Sequence, residues 1–297
     1  MTSSQTFSLG SRSVRRVGFG AMQLPGPGVF GPPRDHDQAV AVLRRAVELG
    51  VDHIDTAQFY GPDVANELIR EALYPYPQNL ALVTKVGGRR DDQANWLPAQ
   101  QPAELRHSIE GNLRTLGVDE LAVVNLRVFG AGLGGPAEVN RGLFEQQLDT
   151  LIAAREEGLI AAIGLSSVSR EHVEIALERT EIACVQNAYN LADRTSQPVL
   201  DLCIERNIAF VPFFPLGSAF AADNPVLGHP TIRRVATELG RTPAQIALAW
   251  TLNVAPNVLL IPGTSSVAHL EENLAVADIE LPADLTIEPT AAGPAAG

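Results

Sequence analysis

Eight short apolar runs, each followed by a longer stretch whose apolar residues recur at helical spacing, account for most of this chain. The runs are VGFGAM (17–22), VDHIDTA (51–57), LALVTKV (80–86), LAVVNLRV (121–128), IAAIGLS (160–166), IACVQNAY (182–189), IAFVPFF (208–214) and NVLLIPG (257–263). The intervening stretches carry helix signals: Asp35 and Ser169 as N-cap candidates, Pro102 and Pro243 at first-turn positions, and Gly50, Gly117, Gly158 and Gly240 as stops. Strict strand–helix alternation, with crossovers long enough to join parallel neighbours, predicts a parallel sheet covered by helices. Eight repeats in roughly 250 residues fit a closed (β/α)8 TIM barrel better than an open doubly wound sheet, which more often runs to five or six strands. A short β-hairpin, TFSLGSRSVRRV, is expected ahead of the barrel. The reading is one barrel domain over 1–280 and a flexible tail over 281–297, with the irregular stretch 128–142 as a functional loop.

Composition narrows the partners. At 297 residues and 45% hydrophobic, the chain can bury a large core. Its 34 acidic against 22 basic residues give a formal charge of -12, which repels phosphate backbones and anionic membrane surfaces, so neither nucleic acid nor membrane is expected. No stretch approaches the roughly eighteen apolar residues of a membrane span, and no leader-like run opens the chain. Cys184 and Cys203 lie in apolar surroundings and read as reduced core residues of a cytoplasmic protein, with a disulfide as the alternative.

In a barrel of this kind, functional side chains come from the carboxyl ends of the strands. Asp55 ends the second run, Tyr60 lies in the turn beyond it, Lys85 ends the third and Arg127 the fourth. Ser166 and Ser167 follow the fifth, Gln186 and Asn187 lie late in the sixth, Phe213 late in the seventh, and the eighth opens into Gly263-Thr264-Ser265 before a helix. Each has a plainer reading when taken singly. Asp55-Thr56 serves as a cap, Lys85 as a solvated strand end, Arg127 as a partner for a loop carboxylate, Gln186-Asn187 as backbone satisfaction, Phe213 as core and Glu272-Asn273 as a helix face. Convergence on one mouth favours the chemical reading.

The ordered set DTAQFYG, LVTK, LGVDEL, IGLSS, VQNAYN, VPFFPLG and IPGTSSVAHLEEN, spanning about residues 14 to 277, resembles the aldo-keto reductase superfamily. That resemblance implies a (β/α)8 barrel binding an extended NADP(H) across its mouth without a glycine-rich Rossmann loop. It implies that Tyr60 is the general acid for carbonyl reduction, with Lys85 and Asp55 behind it and Arg127 completing a catalytic tetrad. The physics is consistent with this assignment: an ammonium about 4 Å from a phenol favours its deprotonation by roughly 4 kcal/mol at an effective dielectric of about 20. The resemblance further places cofactor contacts at Gly20, Ala21, Met22 and Asp55; at Ser166, Ser167 and Gln186 around the carboxamide; at Phe213, Pro215, Leu216 and Gly217; and at Ile261, Gly263, Thr264, Ser265, His269, Glu272 and Asn273 toward the adenosine. A substrate pocket is expected from Met22, Tyr60, Trp96, Arg127 and Phe129.

Three departures from the family's pattern matter. The tetrad histidine is replaced by Arg127, which still donates hydrogen bonds but cannot deprotonate. Ser167 stands where an asparagine is common. After the eighth run the cationic positions that grip a 2'-phosphate are Gly263 and His269, a soft grip whose strength would fall as histidine loses charge. NADPH is therefore the expected cofactor, with NADH as the alternative. The substrate is expected to be a small-molecule carbonyl, pyridoxal among the candidates, handled by a monomer or weak oligomer. Two rival readings remain: a cofactor-sensing regulatory subunit, and a Schiff-base aldolase using Lys85.

Overall fold

The computed structural model describes residues 5–130, 138–217, 224–282 and 285. A hairpin of β1 (Thr6–Leu9) and β2 (Arg12–Arg15) comes first, with Phe7 opposite Val14. β3 (Phe19–Gly20), α1 (His36–Glu48), β4 (His53–Asp55), α2 (Val64–Leu73) and β5 (Ala81–Val86) follow. A second hairpin, β6 (Gly88–Arg90) with β7 (Trp96–Pro98), then interrupts the alternation before α3 (Pro102–Leu116). The chain continues through β8 (Val123–Arg127), α4 (Arg141–Glu156), β9 (Ile163–Ser166), α5 (Arg170–Leu177), β10 (Cys184–Gln186), α6 (Gln197–Glu205) and β11 (Ala209–Phe210). Four helices close it: α7 (Pro225–Gly228), α8 (Pro230–Leu239), α9 (Pro243–Asn253) and α10 (Val267–Leu274). The caps fall where the sequence marks them, Asp35 on α1 and Ser169 on α5, with Gly117 and Gly240 ending α3 and α8. Most of the expected tail and the centre of the 128–142 loop lie outside the described residues.

Seven strands form one parallel sheet in the order β3-β4-β5-β8-β9-β10-β11. The eighth run adds no ladder of its own, a correction to the eight strands read from the sequence. It instead touches both sheet edges through single parallel bridges, Val258 to Phe210 and Leu260 to Val17. Leu259 donates to the Phe210 carbonyl at 2.9 Å and Leu260 to the Arg16 carbonyl at 2.8 Å, so the sheet curls until its edges share one segment. The first run is also shorter than read: Ala21–Gln23 turns into a 3-10 helix, carrying Ala21 and Met22 off the strand.

Alternation along each strand sorts the core into two shells. Leu82 and Val86, Val124 and Leu126, and Val185 face out beneath the helices and join the large outer core. Ala81 and Val83, Val123, Cys184 and Ala209 face in, where they meet Val211 and Leu259. Leu9 and Val14 of the first hairpin belong to this inner cluster, so the hairpin stops the end of the curled sheet at which the strands begin. Inward positions turn polar toward the other end: Val83 gives way to Lys85, Val123 to Asn125 and Arg127, Cys184 to Gln186. Both cysteines are free and buried; burial pushes the Cys184 thiol well up and that of Cys203 to about 12, which makes them inert core groups. No helix of the described residues is long and apolar enough to cross a membrane.

Arg16 holds the seam. It is 4% exposed, and its guanidinium donates to the carbonyls of Val258 at 3.1 Å, Ala255 at 2.7 Å and, more closely still, Leu252. Burial pulls its pKa below the ordinary arginine value. The cation thus satisfies the buried carbonyls at the end of α9 and where the bridging segment begins. Arg16→Met should keep the apolar stem yet strand those carbonyls, lowering unfolding free energy by about 3 kcal/mol or more in urea titrations.

Candidate active site

Three groups meet where the strands end. Asp55, Tyr60 and Lys85 are 3%, 5% and 3% exposed. The Lys85 ammonium donates to Asp55 Oδ1 in a short contact and to the Thr56 carbonyl at 3.0 Å, and Gln186 Nε2 donates to Asp55 Oδ2 at 2.6 Å. Lys85 Nζ also lies 4.9 Å from the centre of the Tyr60 ring. Burial alone would pull the lysine pKa down, but the charge of Asp55 and the charge and hydrogen bond of Tyr60 outweigh it, so the pKa rises above the ordinary value. A lysine held protonated in this way is a poor nucleophile, which weighs against the Schiff-base reading.

Local structure explains how Tyr60 arrives there. Gly61 takes φ +110°, and a Cβ at that position would come within 2.4 Å of the Val64 side chain, so the turn into α2 requires glycine. Across the mouth, Arg127 ends β8 with its guanidinium 5.5 Å from the Phe129 ring and 5.7 Å from the Phe213 ring. Burial pulls its pKa below the ordinary arginine value, while Tyr60 acts in the opposite sense. Trp96 lies on β7 and meets the Phe59 ring edge to face at 5.8 Å. Phe129 covers Gly88 so closely that a Cβ there would come within 2.8 Å of its ring.

Ser166 Oγ, Ser167 Oγ and Gln186 Oε1 are buried without a hydrogen-bond partner among the described residues. Ser166 and Gln186 stand side by side across β9 and β10. A donor hydroxyl beside an acceptor carbonyl is what a carboxamide needs. Asn187, by contrast, spends its side chain on the Val168 backbone, accepting at 3.0 Å and donating at 2.7 Å. Farther along, the backbone at Gly20 runs so close to the eighth run that a Cβ would lie 2.4 Å from the Ile261 carbonyl, and one at Gly263 would lie 2.5 Å from the Gly20 carbonyl.

Beyond Gly263 a groove of about 920 Å³ opens, lined by Leu216, Gly263, Thr264, His269, Glu272 and Asn273 as expected, and also by Arg233 and Arg241 from α8 and the turn after it. Ser265 is exposed and, with Pro215 and Gly217, is not part of this lining. Arg233 and Arg241, two permanent cations absent from the sequence reading, thus line the groove beside His269, and Glu272 contributes the one lining carboxylate among the described residues.

The family model for the aldo/keto reductase family matches residues 16–286. The chain belongs to the aldo/keto reductase family. It is 53% identical over 279 residues to pyridoxine 4-dehydrogenase of Escherichia coli (strain K12), covering 94% of this chain and 95% of that one. It is 38% identical to an uncharacterized oxidoreductase of Schizosaccharomyces pombe over 94% of this chain and 87% of the relative. Among solved structures, an aldo-keto reductase from Klebsiella pneumoniae in complex with NADPH superposes with a TM-score of 0.77 at 26% identity, covering 96% of this chain and 93% of that one.

Family motifs did not reveal what holds the charged residues in place. Thr56 and Thr84, the outward neighbours of Asp55 and Lys85, are cross-linked through two buried asparagines. Thr56 donates to Asn66 at 2.8 Å, Asn66 to Asn112 at 3.0 Å, and Thr84 to Asn112 at 2.6 Å. The sequence signal was Ser108, Asn112 and Thr115 on the inward stripe of an amphipathic helix, where apolar residues are the norm.

Asp55→Asn should leave the buried Lys85 ammonium without its counter-charge at a cost of about 3–5 kcal/mol. The folded pKa of Lys85 is raised, so the pair's stabilisation is complete below the ordinary lysine value and lost as pH rises through the folded value. Urea unfolding of the wild type and variant should therefore differ most near pH 6, and the gap should narrow as the buffer is made more alkaline.

Proposed function

We propose that this chain reduces a small aldehyde or ketone to the alcohol with NADPH, Tyr60 serving as the proton donor. One observation carries the reading: a buried ammonium, locked by Asp55, lies against the ring of Tyr60. We read the seven-stranded sheet and its bridging segment as a (β/α)8 barrel whose mouth holds the reaction. The residues fit a nicotinamide dinucleotide, because the orphaned Ser166 hydroxyl and Gln186 carbonyl suit a carboxamide and the groove beyond Gly263 suits an anionic adenosine end.

When bound, the cofactor supplies hydride to the carbonyl carbon. The residues do the rest. Lys85 stabilises negative charge developing on the Tyr60 oxygen as its proton passes to the substrate oxygen, and Asp55 keeps Lys85 charged and in place. Arg127, which interacts electrostatically with Tyr60, would donate to the same substrate oxygen, and as a permanent cation it adds no histidine-like limb to the pH profile. Phe129 and Phe213 against Arg127, and Trp96 against Phe59, would supply an apolar surround that limits water. The likeness to pyridoxine 4-dehydrogenase makes the pyridoxal–pyridoxine pair the first to assay. Action on a free small molecule in the cytoplasm is part of this proposal.

An oxidation screen of NADPH and NADH over aldehydes, pyridoxal included, should show multiple turnovers with the wild type and a 10²–10⁴-fold loss in Tyr60→Phe with cofactor binding retained. Full activity in that variant would rule out Tyr60 as the acid. Arg241→Glu should raise the KM for NADPH at least tenfold and leave that for NADH nearly unchanged. Equal effects on both cofactors would mean that Arg241 does not read the phosphate.

A further inference from the structure

Arg90, at the end of β6, contacts parts of the mouth that the sequence keeps far apart. Its guanidinium lies 4.0 Å from the centre of the Trp96 ring and 5.3 Å from that of Phe30. It donates to the carbonyls of Val29 at 3.1 Å, Gly28 at 3.2 Å and Ala94 at 2.8 Å. One planar cation therefore joins the loop after β3 to both arms of the β6–β7 hairpin.

That loop is under strain. Gly28, Val29 and Gly31 have φ of +70°, +59° and +71°. For β-branched Val29 this is a genuine outlier, and such a conformation persists only where its surroundings over-determine it. Arg90 binds the carbonyls of two of these residues. From there the contacts lead to the acid. Gly61 donates to the Val29 carbonyl at 3.2 Å, Gly31 donates to the Gly61 carbonyl at 2.8 Å, and Gly61 follows Tyr60 directly. On the hairpin side Trp96 meets Phe59, and Phe59 meets the Tyr60 ring edge to face at 5.4 Å. Arg90 thus acts on Tyr60 by two routes, one through backbone and one through rings, and neither passes through the groove beyond Gly263.

We infer that Arg90 is a positioning residue for the proton donor. It clasps the strained 28–31 loop and the hairpin together so that Tyr60 is held over Lys85, and it fixes the Trp96 wall of the substrate pocket. The inference rests on the reductase reading. A lysine cannot replace this residue, because an ammonium neither stacks on two rings nor forks to three carbonyls.

Arg90→Ala and Arg90→Lys should each lower kcat/KM for the aldehyde by about 10–100-fold, the scale set by small misplacements of a reacting group. NADPH affinity, read by fluorescence titration, should not move, whereas the alkaline limb of the pH profile should shift as the Tyr60–Lys85 distance changes. Millimolar guanidinium should restore part of the Arg90→Ala activity and none of that lost in Tyr60→Phe. A variant whose folded fraction keeps the wild-type rate and pH profile overturns the inference, and so does a uniform loss of Tm and cofactor binding with kcat intact. A readout independent of turnover separates this from the reductase reading. In a Trp250→Phe background, where Trp96 is the remaining tryptophan, Arg90→Ala should shift its emission to the red. If the wild type reduces no carbonyl, the reductase reading falls while this shift still supports the clasp; unchanged emission overturns the clasp itself.

Discussion

A lysine and an aspartate facing each other inside a curled sheet set the terms for everything around them. Neither charge survives burial alone, since each would cost several kcal/mol in desolvation that the other must offset. The pair succeeds because its remaining bonding capacity is also filled: Lys85 by the Thr56 carbonyl and Tyr60, Asp55 by Gln186. A chain of buried Thr and Asn side chains outside the sheet then fixes the spacing of the two strand ends. The phenol beside the pair inherits a positive neighbour that cannot drift.

The two ends of the curled sheet are built for opposite purposes. At the end where the strands begin, Leu9 and Val14 fill the interior and Arg16 ties the seam, so apolar burial and satisfied carbonyls supply stability. Where the strands finish, polar side chains, strained loops and close backbone contacts accumulate, all of which cost stability. The separation lets one end tolerate orphaned groups such as Ser166 Oγ because the other is well packed.

Charge is divided in a similar way. The chain is acidic overall, yet its mouth gathers Lys85 and Arg127, and the groove beyond gathers Arg233 and Arg241. Net charge therefore repels polyanions at long range while local cations remain able to hold a small anionic ligand.

The sequence by itself determined the strand–helix alternation, the parallel sheet, the caps, and the gathering of Asp55, Tyr60, Lys85 and Arg127 at strand ends, because period, cap chemistry and strand direction are local properties. It also named Ser166 and Gln186, which carry a motif. It could not yield the second hairpin, whose strands are three residues each, nor the weak pairing of the eighth run, which depends on where the sheet edges finish. Arg16, Arg90, Arg233 and Arg241 were invisible for a common reason. Each acts on residues far away in the chain, and a lone polar residue in sequence carries no sign of whether burial will give it a partner, a groove or water. Only the tertiary structure decided that, by fixing which distant carbonyls, rings and grooves each of these side chains could reach.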